Sequence, residues 1–146
     1  MQISEMMNLN YARIPIGSSM CEAADVFATS QASDLMVVDD ADCFVGVLSE
    51  GDLIRAVMPK FEDLMFSSGT FVDRFDEFVA RGRASKDDPI DDLVIRKPLT
   101  YAPDDDALKA AATMVAKQIR RLPVVEDGRL VGVVSRADVC RTVFAE

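Results

Sequence analysis

The stretch Gly132-Val133-Val134-Ser135-Arg136-Ala137-Asp138 has an earlier counterpart in the chain, Gly46-Val47-Leu48-Ser49-Glu50-Gly51-Asp52. Both stretches open with a glycine and two apolar residues, which is typical of a buried strand. Both continue with serine, a preferred residue at the start of a helix. The chain therefore contains two copies of a unit in which a strand runs directly into a helix.

The similarity extends well beyond these two stretches. Ile3-Ser4-Glu5-Met6-Met7 aligns with Ile90-Asp91-Asp92-Leu93-Val94 at nearly the same spacing. Matching spacing over this length predicts an internal repeat. The copies cover residues 1–58 and 90–146, and residues 59–89 form an insert that matches neither copy.

The second copy shows its elements most clearly. Asp104-Asp105-Asp106 leads into Ala107-Leu108-Lys109-Ala110-Ala111-Ala112, an acidic first turn followed by strong helix formers. Two apolar runs then flank Asp127-Gly128, which predicts a β-hairpin. With a last helix from Ser135, the sequence predicts an α/β (α+β) fold of two pseudo-symmetric β-α-β-β-α repeats packed as one module.

The insert contains a segment with the period of a helix. Phe71, Phe75, Phe78 and Val79 fall on one helical face, with charged residues opposite. We favour a linker helix that docks on its own module, and the alternative is a surface for a protein partner.

Composition excludes several classes of function. The net charge of -9 and the pI near 4.5 argue against a nucleic-acid partner, because that affinity comes from clustered lysine and arginine. The sequence has no apolar run long enough to span a bilayer, so no membrane contact is expected. The three cysteines are an odd number at wide spacing, which favours a reducing compartment, and we expect a cytoplasmic protein.

The sequence offers no catalytic constellation. It has no histidine, the commonest general base and a common zinc ligand. The acidic pairs, such as Asp39-Asp40 and Asp91-Asp92, fall in predicted turns or at helix starts, where capping and solvation explain them. We therefore expect no enzyme activity and no metal site.

The repeated Ser-x-x-Asp has two interpretations. Free amides at a helix start favour phosphate, and a carboxylate in the first turn can accept from both hydroxyls of a ribose. The same pattern is also a plain helix cap. The occurrence of two copies in the same strand-to-helix context makes the binding interpretation as strong as the capping one.

The chain resembles a free-standing pair of CBS motifs, the Bateman module. The resemblance rests on Gly46 to Asp52 and Gly132 to Asp138, together with Leu99-Thr100-Tyr101-Ala102-Pro103-Asp104 and Ile119-Arg120-Arg121-Leu122-Pro123-Val124-Val125. It implies binding of an adenine nucleotide or an adenosyl ligand, namely AMP, ADP, ATP or S-adenosylmethionine. No obligatory cofactor is implied, and Mg²⁺ would enter only together with such a ligand.

The resemblance also assigns roles to individual residues. Asp138 would hold the ribose hydroxyls, and Ser135 would lie near the ribose or phosphate. The remaining residues of this main site would be Thr100, Tyr101, Arg120, Arg121 and Arg136, of which the arginines neutralise phosphate. The alternative for these arginines is a solvated helix end with surface ion pairs.

The first copy carries a weaker site at Arg13, Ile14, Ser49 and Asp52. Acids outnumber bases in the first copy, whereas the two balance in the second. An anionic ligand is therefore expected to prefer the second copy.

These observations predict a non-catalytic sensor with its main ligand site near the second repeat. The resemblance implies a homodimer, formed as a flat disc, and an effector protein of unknown identity. The alternative function is a ligand-free structural or adaptor module that binds a protein partner.

Overall fold

The computed structural model describes residues 1–60, 65 and 71–145. Within this part, short 3-10 helices at Ile3–Glu5 and Asp91–Leu93 open the two copies. The other elements, in chain order, are β1 (Arg13–Pro15), α1 (Met20–Ser30), β2 (Asp34–Val38), β3 (Phe44–Ser49), α2 (Glu50–Arg55), α3 (Phe71–Ser85), α4 (Ala107–Ala116), β4 (Arg121–Glu126), β5 (Arg129–Ser135) and α5 (Arg136–Phe144).

The two copies have the predicted order of strands and helices. In the first copy β1 pairs in parallel with β2, and β2 pairs antiparallel with β3. In the second copy β4 pairs antiparallel with β5, and the counterpart of β1 is a single parallel bridge between Tyr101 and Val124. The predicted hairpin turn is present, with positive φ at Asp127 (53°) and Gly128 (79°), as a tight Asp-Gly turn requires. The predicted mixed fold of two β-α-β-β-α repeats is confirmed.

The start of the chain packs into the second copy rather than its own. Ile3 and Met6 are 0% and 5% exposed. They belong to a hydrophobic core whose other buried members all come from the second copy: Ala107, Ala110, Met114, Leu122, Val124 and Val134. We call residues 3–8 the first lead segment.

The start of the second copy makes the reciprocal contact. Ile90 and Val94 are buried in the core of the first copy. The other buried members of that core are Ile14, Ala23, Phe27, Leu35, Val37 and Leu48. Residues 90–95 are the second lead segment, so each copy's core is completed by the lead segment of the other.

The repeated glycines make room for these exchanged segments. A side chain on Gly46 would overlap the Ile95 carbonyl oxygen and lie 2.8 Å from Val94 Cγ1. Ile95 and Val47 exchange two backbone hydrogen bonds, of 2.9 and 3.1 Å, at this point. Only glycine therefore lets the second lead segment lie against β3.

The second glycine plays the same part in the other copy. A side chain on Gly132 would come within 2.7 Å of Met7 Sδ. Asn8 and Val133 exchange backbone hydrogen bonds of 2.8 and 3.0 Å beside it. The repeated glycine is thus explained by packing of the two copies.

A third hydrophobic cluster joins the two sheets. Met36 and Val38 of β2 pack with Leu130 and Val133 of β5, and all four are nearly inaccessible to solvent. The two copies therefore form one module, as predicted.

The insert contains the predicted helix, α3. Phe78 and Val79 line an apolar groove together with Leu53 and Ile54 of α2. Phe75 contacts the ring of Phe78 at a centroid distance of 6.2 Å but remains 63% exposed. The side chain of Phe71, also predicted on this face, lies outside the described residues. Among the described residues, no helix is long and apolar enough to cross a membrane.

Replacement of Gly46 tests the exchange of lead segments. Because the new methyl group would overlap backbone, Gly46→Ala should lower the free energy of unfolding by roughly 1–3 kcal/mol, measured by chemical denaturation. Gly82→Ala is the matched control, since Gly82 lies in α3 with open space at its Cβ position and should gain up to about 1 kcal/mol. Equal stability of the two variants would contradict the packing of residues 94–95 against β3.

Candidate functional site

Both repeated serines cap the helices that follow them. Ser49 Oγ accepts from the backbone N–H of Asp52 at 3.1 Å, and Ser135 Oγ accepts from that of Asp138 at 3.1 Å. Each cap lies where the second strand of a hairpin becomes a helix, at the strand-to-helix junction that the sequence predicted. The capping interpretation of Ser-x-x-Asp is therefore confirmed, and any ligand role must coexist with it.

The larger cavity next to these caps has a volume of about 550 Å³, and we call it the arginine cavity. Its first-copy lining includes Ser49 and Glu50, and its second-copy lining includes Pro98, Arg120 and Arg121. The other lining residues are Ser33, Asp34, Val47, Gly51, Ile54, Arg55, Ile95, Leu99, Gln118, Ile119, Leu122 and Pro123.

The second cavity has a volume of about 400 Å³, and we call it the tyrosine cavity. It places Ser135 and Asp138 of the second copy beside Tyr11 of the first. The other lining residues are Asn8, Asn10, Ala12, Ser30, Ala32, Asp34, Met36, Arg121 and Val133. Both volumes lie within the range of pockets for small ligands, about 300–1,000 Å³.

The two cavities are built crosswise. Each combines the capped helix start of one copy with the segment that precedes the first strand of the other copy. Pro98 in the arginine cavity and Tyr11 in the tyrosine cavity occupy equivalent repeat positions. A ligand in either cavity therefore contacts both copies.

This arrangement corrects the predicted grouping of the arginines. Arg120 lines the arginine cavity with Ser49, and not the tyrosine cavity with Asp138. Arg121 lines both cavities. Arg136 lines neither, and its guanidinium donates to the backbone carbonyls of α4 and the following turn. Two of the three predicted arginines, Arg120 and Arg121, thus lie beside the first copy's helix start, because the cavities cross between the copies.

The predicted residues of the first strands line neither cavity. The hydroxyl of Tyr101 hydrogen-bonds to Thr113 at 2.8 Å, and Thr100 precedes it on the same segment. Arg13 forms an exposed ion pair with Asp42 at 3.8 Å, while Ile14 is 2% exposed in the first core. The cavities are lined instead by residues that lie just before the first strand of each copy.

The two aspartates of the repeat differ in how they are held. Asp138 is 5% exposed, and its Oδ2 accepts from the Ser135 N–H and hydroxyl at 2.8 Å each. Its Oδ1 accepts from Arg141 at 3.0 Å. Asp52 lacks this reciprocal cap and pairs with Arg55, which lowers its pKa. Asp52 does not line the arginine cavity, whereas Asp138 does line the tyrosine cavity.

Sequence reasoning missed the polar residues at the boundary of the cavities. Burial raises the pKa of Asp34, and the nearby positive charge of Arg121 partly offsets that rise. Arg121 Nη1 donates to Ser33 Oγ at 2.8 Å. Burial also raises the pKa of Tyr11, against an opposing effect of Arg13. Repeat alignment provides a signal for Asp34, since it is the counterpart of Arg121.

Within the described residues, no three acidic, histidine or cysteine side chains are grouped as a metal site. Cys21, Cys43 and Cys140 are unpaired thiols. The chemistry that the cavities offer is therefore recognition through hydroxyl, amide, carboxylate and guanidinium groups.

Comparison with known proteins follows the same division into two copies. The CBS domain family matches residues 3–59 and 90–145. An uncharacterized protein of Methanocaldococcus jannaschii, MJ1225, is 28% identical over 144 residues, which are 99% of this chain and 43% of that protein. This chain therefore spans less than half the length of that relative.

Solved structures show the same fold. CBSX2 in complex with AMP has a TM-score of 0.71 and 24% identity, with 97% of this chain and 95% of that chain covered. The CBS domain pair of MJ0100, in complex with 5′-methylthioadenosine and S-adenosylmethionine, has a TM-score of 0.67 and 20% identity, with 98% and 95% covered. The repeat, the fold and the family match together show that this chain belongs to the CBS domain family and carries a pair of CBS repeats.

Proposed function

We propose that this chain is a non-catalytic regulatory module that binds an adenine nucleotide or an adenosyl ligand between its two CBS repeats. The observation that carries the proposal is the pair of crosswise cavities, each lined by both repeats and each of a size that suits a small ligand. The ligand class is supported by the neighbours of the same fold, one bound to AMP and one to methylthioadenosine and S-adenosylmethionine.

The phosphate of an anionic ligand is assigned to the arginine cavity rather than to the Asp138 motif. Three lining bases, Arg55, Arg120 and Arg121, face two lining acids, Asp34 and Glu50. A guanidinium offers paired donors that suit phosphate oxygens. This charge balance makes the arginine cavity the better anion site.

The tyrosine cavity suits a ligand with less negative charge. Its lining bears Asp34 and Asp138 against Arg121. Asp138 retains the ribose role proposed from the sequence, because it lines the cavity and its Oδ1, which accepts from Arg141, has a second acceptor position. Tyr11 supplies an aromatic surface beside it for the adenine or for an apolar substituent.

Regulation follows from where the ligand lies. A ligand that contacts both repeats stabilises one relative arrangement of them over others. The change would be read by an effector protein, and the acidic composition leaves nucleic acid an unsuitable partner. The unpaired cysteines agree with a reducing compartment such as the cytoplasm.

We further propose that two chains form a homodimer through α4 and α5 of the second repeat. Leu108, Val115, Val143 and Phe144 are 77%, 75%, 66% and 81% exposed on these helices. The α4 helix is preceded by Asp104-Asp105-Asp106 and followed by a lysine, so two antiparallel copies place acidic ends beside basic ends. This face is therefore complementary to its own two-fold copy, as a closed dimer requires.

The apolar groove lined by α1, α2 and α3 supports the alternative function, a ligand-free adaptor. The groove has a volume of about 420 Å³ and is lined by Met20, Cys21, Ala24, Leu53, Ile54, Val57, Phe78, Val79, Gly82, Arg83 and Lys86. Such a groove suits an apolar side of a partner helix. A folded protein that binds no adenosyl ligand would favour this function.

Ligand binding can be tested by calorimetric titration with AMP, ADP, ATP with Mg²⁺, and S-adenosylmethionine. Arg120→Gln should weaken AMP binding by about tenfold, because one charged contact to phosphate is lost. Arg136→Gln is the matched control, since Arg136 is also exposed but lines neither proposed cavity. Equal losses in both variants would contradict the assignment of phosphate to the arginine cavity.

Dimer formation can be tested by analytical ultracentrifugation over a concentration series. Leu108→Glu should raise the dimer dissociation constant about tenfold or more, because it places a charge in an apolar contact. Leu9→Glu is the control, since Leu9 is 72% exposed and lies outside α4 and α5. A dimer that tolerates the Leu108 change would exclude this interface.

A further inference from the structure

Two residues line both cavities, and they carry opposite charges. Asp34 begins β2 and pairs across its hairpin with Ser49. Arg121 begins β4 and pairs across its hairpin with Ser135. The two positions are therefore equivalent in the repeat, and both lie at the boundary between the arginine and tyrosine cavities.

Arg121 reaches from the second repeat to the first. Its Nη1 donates to Ser33 Oγ at 2.8 Å, next to Asp34. Asp34 is partly buried, and the charge of Arg121 favours its ionised form against the cost of that burial. The guanidinium thus compensates a carboxylate that faces both cavities.

The two cavities depend on Arg121 to different extents. The arginine cavity is also lined by Arg55 and Arg120. In the tyrosine cavity, Arg121 is the lining base within the described residues, and it offsets the charge of Asp34. The other lining acid, Asp138, is paired with Arg141. Displacement of the Arg121 side chain toward the arginine cavity would leave the tyrosine cavity without a lining base among the described residues, whereas the arginine cavity keeps two others.

We propose that Asp34 and Arg121 couple the two cavities, so that an anionic ligand in the arginine cavity weakens binding of a second anionic ligand, but not of an uncharged one, in the tyrosine cavity. This inference rests on the proposed adenosyl-ligand function. A bound phosphate draws the Arg121 guanidinium toward itself and leaves the charge of Asp34 uncompensated, so that it repels a second anion. An uncharged ligand experiences no such repulsion.

The coupling favours binding of one anionic and one uncharged ligand over binding of two anionic ligands. One chain holds an anionic nucleotide in the arginine cavity and accepts an uncharged adenosyl compound in the tyrosine cavity. By thermodynamic linkage, the effect is reciprocal between the two cavities. Coupling of this kind commonly changes affinity by about 5- to 150-fold, and we expect about tenfold here because one displaced charge carries it.

The wild-type protein tests this without any substitution. Calorimetric titration with AMP and, separately, with adenosine compares two ligands that differ in the phosphate. For each ligand, the site ratio is the dissociation constant of the second site divided by that of the first. We expect the site ratio for AMP to be about ten, over and above the site ratio for adenosine. At AMP concentrations that fill only the tighter site, adenosine should still bind at the other site.

Variants at the boundary identify the residues responsible. Asp34→Asn removes the repelling charge, so the ratio of the two dissociation constants for AMP should fall close to that for adenosine. Arg121→Gln should weaken the first AMP and also abolish the dependence of the second on the first. Asp40→Asn is the control, because it changes the net charge equally from an exposed position that lines neither cavity, and its AMP ratio should match wild type.

The outcomes separate the coupling from the function on which it rests. Absence of heat with adenosine and with all four ligands named above (AMP, ADP, ATP with Mg²⁺, and S-adenosylmethionine), from protein shown by circular dichroism to be folded, would overturn the proposed function itself. Two AMP sites with the same ratio as adenosine, or a ratio unchanged in Asp34→Asn, would overturn the coupling alone. If Asp34→Asn does not fold, the coupling is tested by comparing AMP with adenosine in the wild-type protein and in Arg121→Gln.

Discussion

The structure depends on the exchange of lead segments between the two repeats. Neither repeat can close its own hydrophobic core, because Ile3 completes the second core and Ile90 completes the first, each at 0% exposure. The exchange in turn requires glycine at position 46, where the backbone of the second lead segment lies against β3, and glycine at position 132 leaves room for the Met7 side chain. The same crossing brings residues of both repeats to each cavity, so packing and ligand recognition share one cause.

Much of the fold could be predicted from local sequence. The Asp127-Gly128 turn, the acidic approach to α4 and the serine caps each specify an element through interactions within a few residues, and all are present where they were expected. The exchange could not be predicted in this way. An apolar segment such as residues 3–7 has the same pattern whether it packs in its own repeat or in the other, because the two cores are near copies.

The same ambiguity explains the errors at the candidate site. Charges were compared repeat by repeat, which placed Arg120 with Asp138, whereas the crossing places it with Ser49. The residue types were well chosen, since Arg121, Ser135 and Asp138 do line a cavity. Their partners depended on tertiary contacts across the pseudo-symmetry axis, and a single sequence carries no record of those contacts. Tyr11 could not be found for that reason, whereas Asp34 can be found as the repeat counterpart of Arg121.

Crosswise construction also explains how the proposed regulatory module would respond to a ligand. A ligand shifts a conformational equilibrium only to the extent that its affinity differs between the states. A ligand confined to one repeat would bind equally well however the repeats were arranged. In each cavity here the capped helix start and the facing segment belong to different repeats, so any change in their relative position changes the ligand's contacts. In the proposed function, the exchange that completes the cores therefore makes the arrangement of the repeats sensitive to what the cavities hold.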